Sequence, residues 1–381
     1  MMKPKERYAK ALLLSVLLLL GACSSAYRSD PGVVALEQDM LSGSVFGVTS
    51  DDSAPAVELT ALDEDMRHFL EARAPRELSK QQKVRRILEG LLDGGLQLQY
   101  HNFHTYTAQE TFHSREGNCM SFTNLFVALA REAGLKVSYQ EVEVPPSWGS
   151  QSGSWLYSKH INALVTMQDY DHVVDFNLDD FDNDYPRYRI SDQAALARYH
   201  NNMGVHWMGE RDYPLSFLHF REALQLEPDT SFFWTNLGSL YRRAGELQLA
   251  EQAYLHAIAI DGEPAAMSNL ARYYQQQGDY EQARHYEEQV TEFRRQNPFY
   301  LYQLARQAYA EANYDESQEL LQRAIRLNDQ EERFFQLLGL GHLQLGEVAA
   351  AKRRFQQAAE LADSEDDKAR YQRKLDLLAT R

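Results

Sequence analysis

Only two cysteines occur in 381 residues, Cys23 and Cys119. That scarcity excludes a disulfide-scaffolded fold and any multi-cysteine metal centre. Positive charge is also sparse: 39 Lys and Arg stand against 55 Asp and Glu, a net charge of −16. Phosphate binding needs clustered Lys and Arg, so nucleic acid is not expected as a partner. Long apolar runs are lacking too. The run Ala11–Leu20 has ten residues, where a membrane-spanning helix needs roughly 20. What the chain has instead is helical periodicity over most of its length, which argues against disorder outside one linker.

The N-terminus reads as a targeting segment over residues 1–22. Lys3, Lys5, Arg7 and Lys10 form a basic head, and Ala11–Leu20 is a short apolar stretch of secretory type. Leu20-Gly21-Ala22-Cys23 resembles the bacterial lipoprotein box. The resemblance implies cleavage before Cys23, lipid on that cysteine, and a mature protein facing the periplasm. Ser24 after the cysteine implies sorting to the outer membrane. Such a chain touches the membrane through its lipid alone. Residues 23–58, rich in Ser, Gly and Asp without sustained period, read as a flexible tether.

Residues 59–195 carry the chemistry. Ser79 is a plausible N-cap for a helix ending before Asp93-Gly94-Gly95, and Thr107-x-x-Glu110 has capping-box spacing. Leu96, Leu98 and Tyr100 alternate with glutamines as in a short extended segment. Cys119 follows Gly117-Asn118 at the start of a helix. The apolar residues of that helix, Phe122, Leu125, Phe126, Leu129 and Ala133, fall at the spacing of one buried face. At a helix start the unpaired N–H groups and the positive end of the dipole favour thiolate over thiol. Alternation over Lys136–Val144, Lys159–Met167 and His172–Asn177 predicts strands of a meandering antiparallel sheet packed on the cysteine helix, an α+β domain.

A cysteine nucleophile needs a base and a group to orient it. His160, at the start of the second strand, is the best candidate base, and Asp175, on the third, the best orienter; the register between them is not readable. His172 is a rival base, in the turn. With Cys23 lipidated, Cys119 has no intramolecular partner and stays a lone thiol in an oxidising compartment. The stretch Thr107–Leu135, with TAQETF, REGNC and FTNLFVALAREAG, resembles the core domain of the transglutaminase-like superfamily, the papain-like thiol fold. The resemblance implies a triad of Cys119, His160 and Asp175 and acyl transfer through a thioester, to water or to an amine. It also implies two oxyanion donors, the backbone N–H of Cys119 and an upstream side chain; Gln97, Gln99 and Tyr100 all remain open for the second.

From about Ala197 a different pattern repeats every 33–34 residues. Gly204, Trp207, Ser216, Phe220 and Ala223 recur as Gly238, Tyr241, Ala250, Tyr254 and Ala257, then more loosely through Ala271, Ala305 and Gly339. This resembles the tetratricopeptide repeat and implies an all-α solenoid of five repeats over 197–363, capped by a helix over 364–381. Such a solenoid implies a protein or peptide partner. His101, His104 and His113 lack zinc-ligand spacing, and the calcium-loop-like run Asp180–Asp184 lacks its glycine. Trp148 and Trp155, in a Pro/Gly/Ser loop, are candidates for a cleft wall.

The expectation is an α+β thiol domain followed by an all-α tetratricopeptide-repeat solenoid, in an outer-membrane lipoprotein facing the periplasm. It would be a cysteine acyltransferase or hydrolase, without cofactor or metal, acting on amide or peptide bonds. Peptidoglycan or an envelope protein is the candidate substrate. The alternative is a non-catalytic periplasmic adaptor that uses both domains for binding.

Overall fold

The computed structural model describes residues 31–92, 95–101, 104–142, 150–151, 154–155, 160–168, 170–176, 187–362 and 365–379. The expectations for residues 1–22, Cys23, Trp148 and the run 180–184 lie outside the described residues, as does the Trp155 side chain. The chain falls into two compact units that divide between Leu270 and Ala271. Among the described residues, no helix is long and apolar enough to cross a membrane.

In the first unit, helix α1 (Pro31–Met40) and a 3-10 turn at Ser44–Phe46 precede the thiol domain. Four helices follow: α2 (Glu64–Arg73), α3 (Lys80–Leu91), α4 (Ala108–Ser114) and α5 (Cys119–Glu132). Each has a side-chain cap: Asp63 for α2, and Ser79–Gln82, Thr107–Glu110 and Asn118–Ser121 capping boxes for the others. These caps satisfy first-turn N–H groups that would otherwise be orphaned.

Among the described residues the strands are β1 (Gln99–Tyr100), β2 (Glu116–Gly117), β3 (Val137–Val142), β4 (Ser150–Gln151), β5 (Ser154–Trp155), β6 (His160–Thr166), β7 (Asp171–Val174) and β8 (Arg187–Ile190). The main sheet has the order β7-β6-β3-β8, with all pairs antiparallel. It is therefore not a simple meander. β3, β6 and β7 run consecutively, but β8 returns to the far edge beside β3. β4 and β5 pair as a short hairpin, and β1 pairs with β2 in parallel.

Helix α5 is buried from Met120 through Ala130, not on one face only. Met66, Leu70, Val84 and Ile87 of α2 and α3 and Tyr139, Ala163 and Val165 of the sheet share its core. Polar residues on the helix are buried with it, and each is bonded. Thr123 donates to the Ile161 carbonyl at 3.2 Å, Asn124 donates to the Tyr106 carbonyl at 2.9 Å, and Tyr139 Oη donates to Asn124 Oδ1 at 2.9 Å. Unmade, each of these would cost about 1–3 kcal/mol.

The helical pairs begin with α6 (Asp192–Glu210) and α7 (Tyr213–Leu226), then α8 (Ser231–Ala244) and α9 (Leu247–Asp261). Their repeated glycines answer a close approach. A Cβ on Gly204 would lie 2.7 Å from the Phe220 ring, and one on Gly238 2.8 Å from the Tyr254 ring. The first pair does not stand apart from the thiol domain. Ala195, Tyr199 and Met203 of α6 belong to the thiol-domain core, and the largely covered Arg198 side chain bonds Glu141 of β3 at 2.6 Å as well as Glu227 beyond α7.

The stretch expected to be a flexible tether differs most. Over residues 35–58 it packs onto the first repeats. Met40 is fully buried, and Phe46 stacks on Tyr241 at 5.5 Å. Tyr241 Oη donates to the Met40 carbonyl, and the buried Arg221 guanidinium donates to the carbonyls of Thr49, at 3.0 Å, and Asp52. A low-complexity composition did not reveal that its few apolar residues meet aromatic partners about 170–200 residues away.

Helix α10 (Pro264–Gln277) contains the division between units. The second unit continues with α11 (Tyr280–Gln296), the pairs α12 (Pro298–Ala310) with α13 (Tyr314–Leu327) and α14 (Glu332–Gln344) with α15 (Val348–Leu361), and then α16 (Glu365–Ala379). Here too a Cβ on Gly339 would sit 2.9 Å from the Phe355 ring. Tyr371 and Leu378 of α16 cover Phe335 and Phe355 and close the apolar end of the last pair.

Candidate active site

Cys119 is the first residue of α5, partly exposed at the mouth of a buried helix. The turn before it is tightly built. A Cβ on Gly117 would lie 2.4 Å from Ser121 Cβ, so only glycine fits. Asn118 then caps the helix: its Oδ1 accepts the Ser121 N–H at 3.0 Å while its Nδ2 donates to Thr105 Oγ1 at 2.7 Å. Ser121 Oγ in turn accepts the N–H groups of Tyr106, at 2.8 Å, and Asn118, at 3.3 Å.

His160 opens β6 and is only 7% exposed. Its Nε2 meets both carboxylate oxygens of Asp175, at 2.8 and 2.9 Å, which leaves Nδ1 for the Cys119 side chain that also hydrogen-bonds the imidazole. Asp175 lies one residue past the end of β7, not on a strand. The register explains the contact. Val174 is opposite Ala163, so Asp175 falls opposite Asn162, and His160 shares the Asn162 face two residues along. Asn162 is fully buried and donates to Asp175 Oδ2 at 2.9 Å. Thr123 of α5, bonded to the Ile161 carbonyl, ties the cysteine helix directly to the histidine strand.

Burial opposes the imidazolium of His160. The hydrogen bond that His160 donates to Asp175, then the hydrogen bond and charge of Cys119, outweigh it and raise the group to about 9. A buried histidine between a thiol and a carboxylate is thus held as a cation, the form that partners a thiolate.

Tyr100, at the end of β1, is the third group at Cys119. Its hydroxyl accepts the Cys119 backbone N–H, and its ring meets Phe122 edge-on at 6.2 Å. Burial, with the Cys119 and Asp175 charges, pushes it up to about 12. Gln99 precedes it on the strand and so points to the other face; Gln97 lies before the strand at φ 55°.

The remaining sequence candidates go elsewhere. His172 is exposed and lines a surface groove of about 470 Å³ with Gln81, Met167 and Tyr170. His113 bonds Asp63 at 2.6 Å, His101 lies 3.9 Å from Glu116, and His104 packs on Tyr106 and His206. Among the described residues no group of three or more His, Cys, Asp or Glu could hold a metal ion. Asn162 was missed in the sequence, although the alternation His160-x-Asn162 on a strand was enough to place both on one face.

Residues 69–175 match the family model of the transglutaminase-like superfamily, and residues 229–296 that of the tetratricopeptide repeat. The chain carries a transglutaminase-like domain and tetratricopeptide repeats. The transglutaminase-like match ends at Asp175 and spans Cys119 and His160. Among solved structures, the chain is similar to Pseudomonas aeruginosa pilF, at 15% identity over 49% of this chain and 94% of that one, with a TM-score of 0.26. BtubC (BKLC) from P. vanneervenii gives 21%, 44%, 80% and 0.26 for the same measures. YrrB, described as a tetratricopeptide-repeat protein with an unusual peptide-binding site, gives 12%, 46%, 92% and 0.24. TM-scores this low leave the two family matches to characterise the chain. No curated protein matches it.

Proposed function

We propose that the transglutaminase-like domain is a cysteine acyltransferase or hydrolase with Cys119 as nucleophile, His160 as base and Asp175 as the group that orients the imidazole. The observation that carries this reading is the position of His160, bonded at Nε2 to Asp175 and through its other edge to Cys119. His160 takes the Cys119 proton and holds the thiolate as its ion partner. The thiolate attacks an amide or peptide carbonyl, and the tetrahedral intermediate expels the amine, which receives its proton from the imidazolium. Water or a second amine then resolves the thioester, giving hydrolysis or cross-linking. The repeats bind a protein or peptide and present it to this domain. Cys23, in its lipoprotein-type context, anchors the chain to the outer membrane with its domains in the periplasm, where peptidoglycan and envelope proteins are the available amide substrates.

The test is the rate of iodoacetamide alkylation at Cys119 near pH 7, in wild type and in His160→Ala. Loss of the cationic partner is expected to slow alkylation by at least roughly tenfold. Equal rates would reject the thiol–imidazole pair and leave an adaptor that binds without catalysis. Metabolic labelling with palmitate, abolished in Cys23→Ser, tests the anchor.

A further inference from the structure

A capping carboxamide steers a helix only if it is itself held, because its oxygen and nitrogen ends can exchange places. Asn118 caps the helix of Cys119 with Oδ1, which accepts from the Ser121 N–H and from the Ser121 hydroxyl, each at 3.0 Å. Its other end is fixed from outside that helix. Nδ2 donates to Thr105 Oγ1 at 2.7 Å, and Thr105 is buried.

The Thr105 oxygen has a second donor, and it comes from another part of the chain. Asn202 of α6 directs its Nδ2 at Thr105 Oγ1, at 3.3 Å, and at Met120 Sδ, at 3.8 Å. A hydroxyl oxygen has two acceptor lone pairs, and here two amide N–H groups take both. The Thr105 proton is thereby turned away from Asn118. That leaves the cap one orientation, Nδ2 toward Thr105 and Oδ1 toward Ser121.

One turn further along the same face of α6, His206 meets the His104 ring edge-on at 4.4 Å. On the opposite side of this loop, Tyr106 donates its N–H to Ser121 Oγ at 2.8 Å, and its carbonyl accepts from Asn124 Nδ2 at 2.9 Å. Residues 104–106 therefore form a strap, bonded to α5 on one side and gripped by α6 on the other. That second helix lies outside the matched thiol domain. The transglutaminase-like match ends at Asp175, and α6 begins at Asp192 as the first helix of the helical pairs.

We infer that Asn202 is a positioning residue for the Cys119 centre, supplied by the first helix of the helical pairs. Through Thr105 it holds Asn118 in its capping orientation. Through Asn118 it holds the first turn of α5, which presents the thiol to His160. The assignment rests on the thiol–imidazole reading of Cys119 and His160.

The test is the pH dependence of iodoacetamide alkylation at Cys119 in the full chain, read beside the melting temperature. Two variants remove the donor: Asn202→Leu keeps the volume, and Asn202→Ala adds no bulk. Each is expected to shift the alkylation profile up by about one pH unit, a roughly tenfold slowing below the wild-type midpoint. Thr105→Val removes the shared acceptor and should give the same shift. Thr105→Ser keeps the oxygen and should stay within about twofold of wild type. Because the two bonds act in series, Asn202→Ala combined with Thr105→Val should be no slower than Thr105→Val alone. A lower melting temperature with an unmoved profile in either Asn202 variant would make the contact structural only and overturn the proposal. Additive shifts in the double variant would overturn it as well. Failure of the underlying reading looks different, because wild type and His160→Ala would then alkylate at the same rate.

Discussion

Asn162 and Asp175 face each other across the β6–β7 hairpin, with Nδ2 2.9 Å from Oδ2 of the carboxylate that also receives His160. The carboxylate lies one residue beyond the ladder pair of Val174 with Ala163. Asn162, fully buried, holds the carboxylate by its side chain. Asn162→Ala removes a bond to a charged acceptor and is expected to cost about 1.5–3 kcal/mol of stability. It should also slow Cys119 alkylation less than His160→Ala does. Thermal unfolding and alkylation together check both outcomes.

Asp175→Asn should lower the titration midpoint of His160. Burial acts alone against the cation once the carboxylate is gone, and only the Cys119 contribution still opposes it. Histidine side-chain NMR is expected to show the midpoint moving down from about 9, with alkylation at neutral pH slowed at least roughly tenfold. A midpoint that stays near its wild-type value would remove Asp175 from the proposed role.

A second buried histidine pair predicts how stability varies with pH. His200 and His219, on α6 and α7, sit Nδ1 to Nδ1 at 3.0 Å. Burial lowers His200 to about 4. Burial, then the charges of His200 and His206, lowers His219 to about 3. Both folded values lie below the unfolded 6.5, so the unfolded chain binds more protons as pH falls. Their contribution is complete above about pH 6.5 and is lost from there toward 4 and 3. His160 has the opposite sign. Its folded value is raised, so its contribution is complete below 6.5 and is lost as pH rises toward 9. Stability from these three groups should peak near pH 6.5, and His219→Phe should flatten the acid side alone. Melting temperature across the range checks it.

The packed N-terminal segment hangs on Arg221. Arg221→Ala leaves the Thr49 and Asp52 carbonyls without their donor. A loss of about 1.5 kcal/mol in holding the segment should speed proteolytic cleavage within residues 49–58 roughly tenfold. The spectra of the thiol domain should not change. Cleavage at the wild-type rate would show that Phe46 and Met40 hold the segment alone.

Local chemistry was legible in the sequence wherever one stretch of chain decides it. The capping signals at Ser79 and Thr107 and the helix start at Cys119 each depend on residues a few positions to one turn apart, and the small-to-aromatic spacing of Gly204 with Phe220 lies within one helical hairpin. Hydrogen-bond reach and helical period set these without help from the rest of the fold. Tertiary structure alone decided the rest. A one-residue slip of β7 would turn Asp175 to the opposite face of the sheet. Only the packing of α5 between two helices and the sheet holds the ladder in the register that puts Asp175 opposite Asn162 and beside His160. The parallel pairing that sets Tyr100 beside the cysteine turn, and the aromatic surface that orders the N-terminal segment, likewise join residues far apart in sequence. No local pattern encodes such contacts, because their free energy comes from surfaces that exist only after the chain has folded.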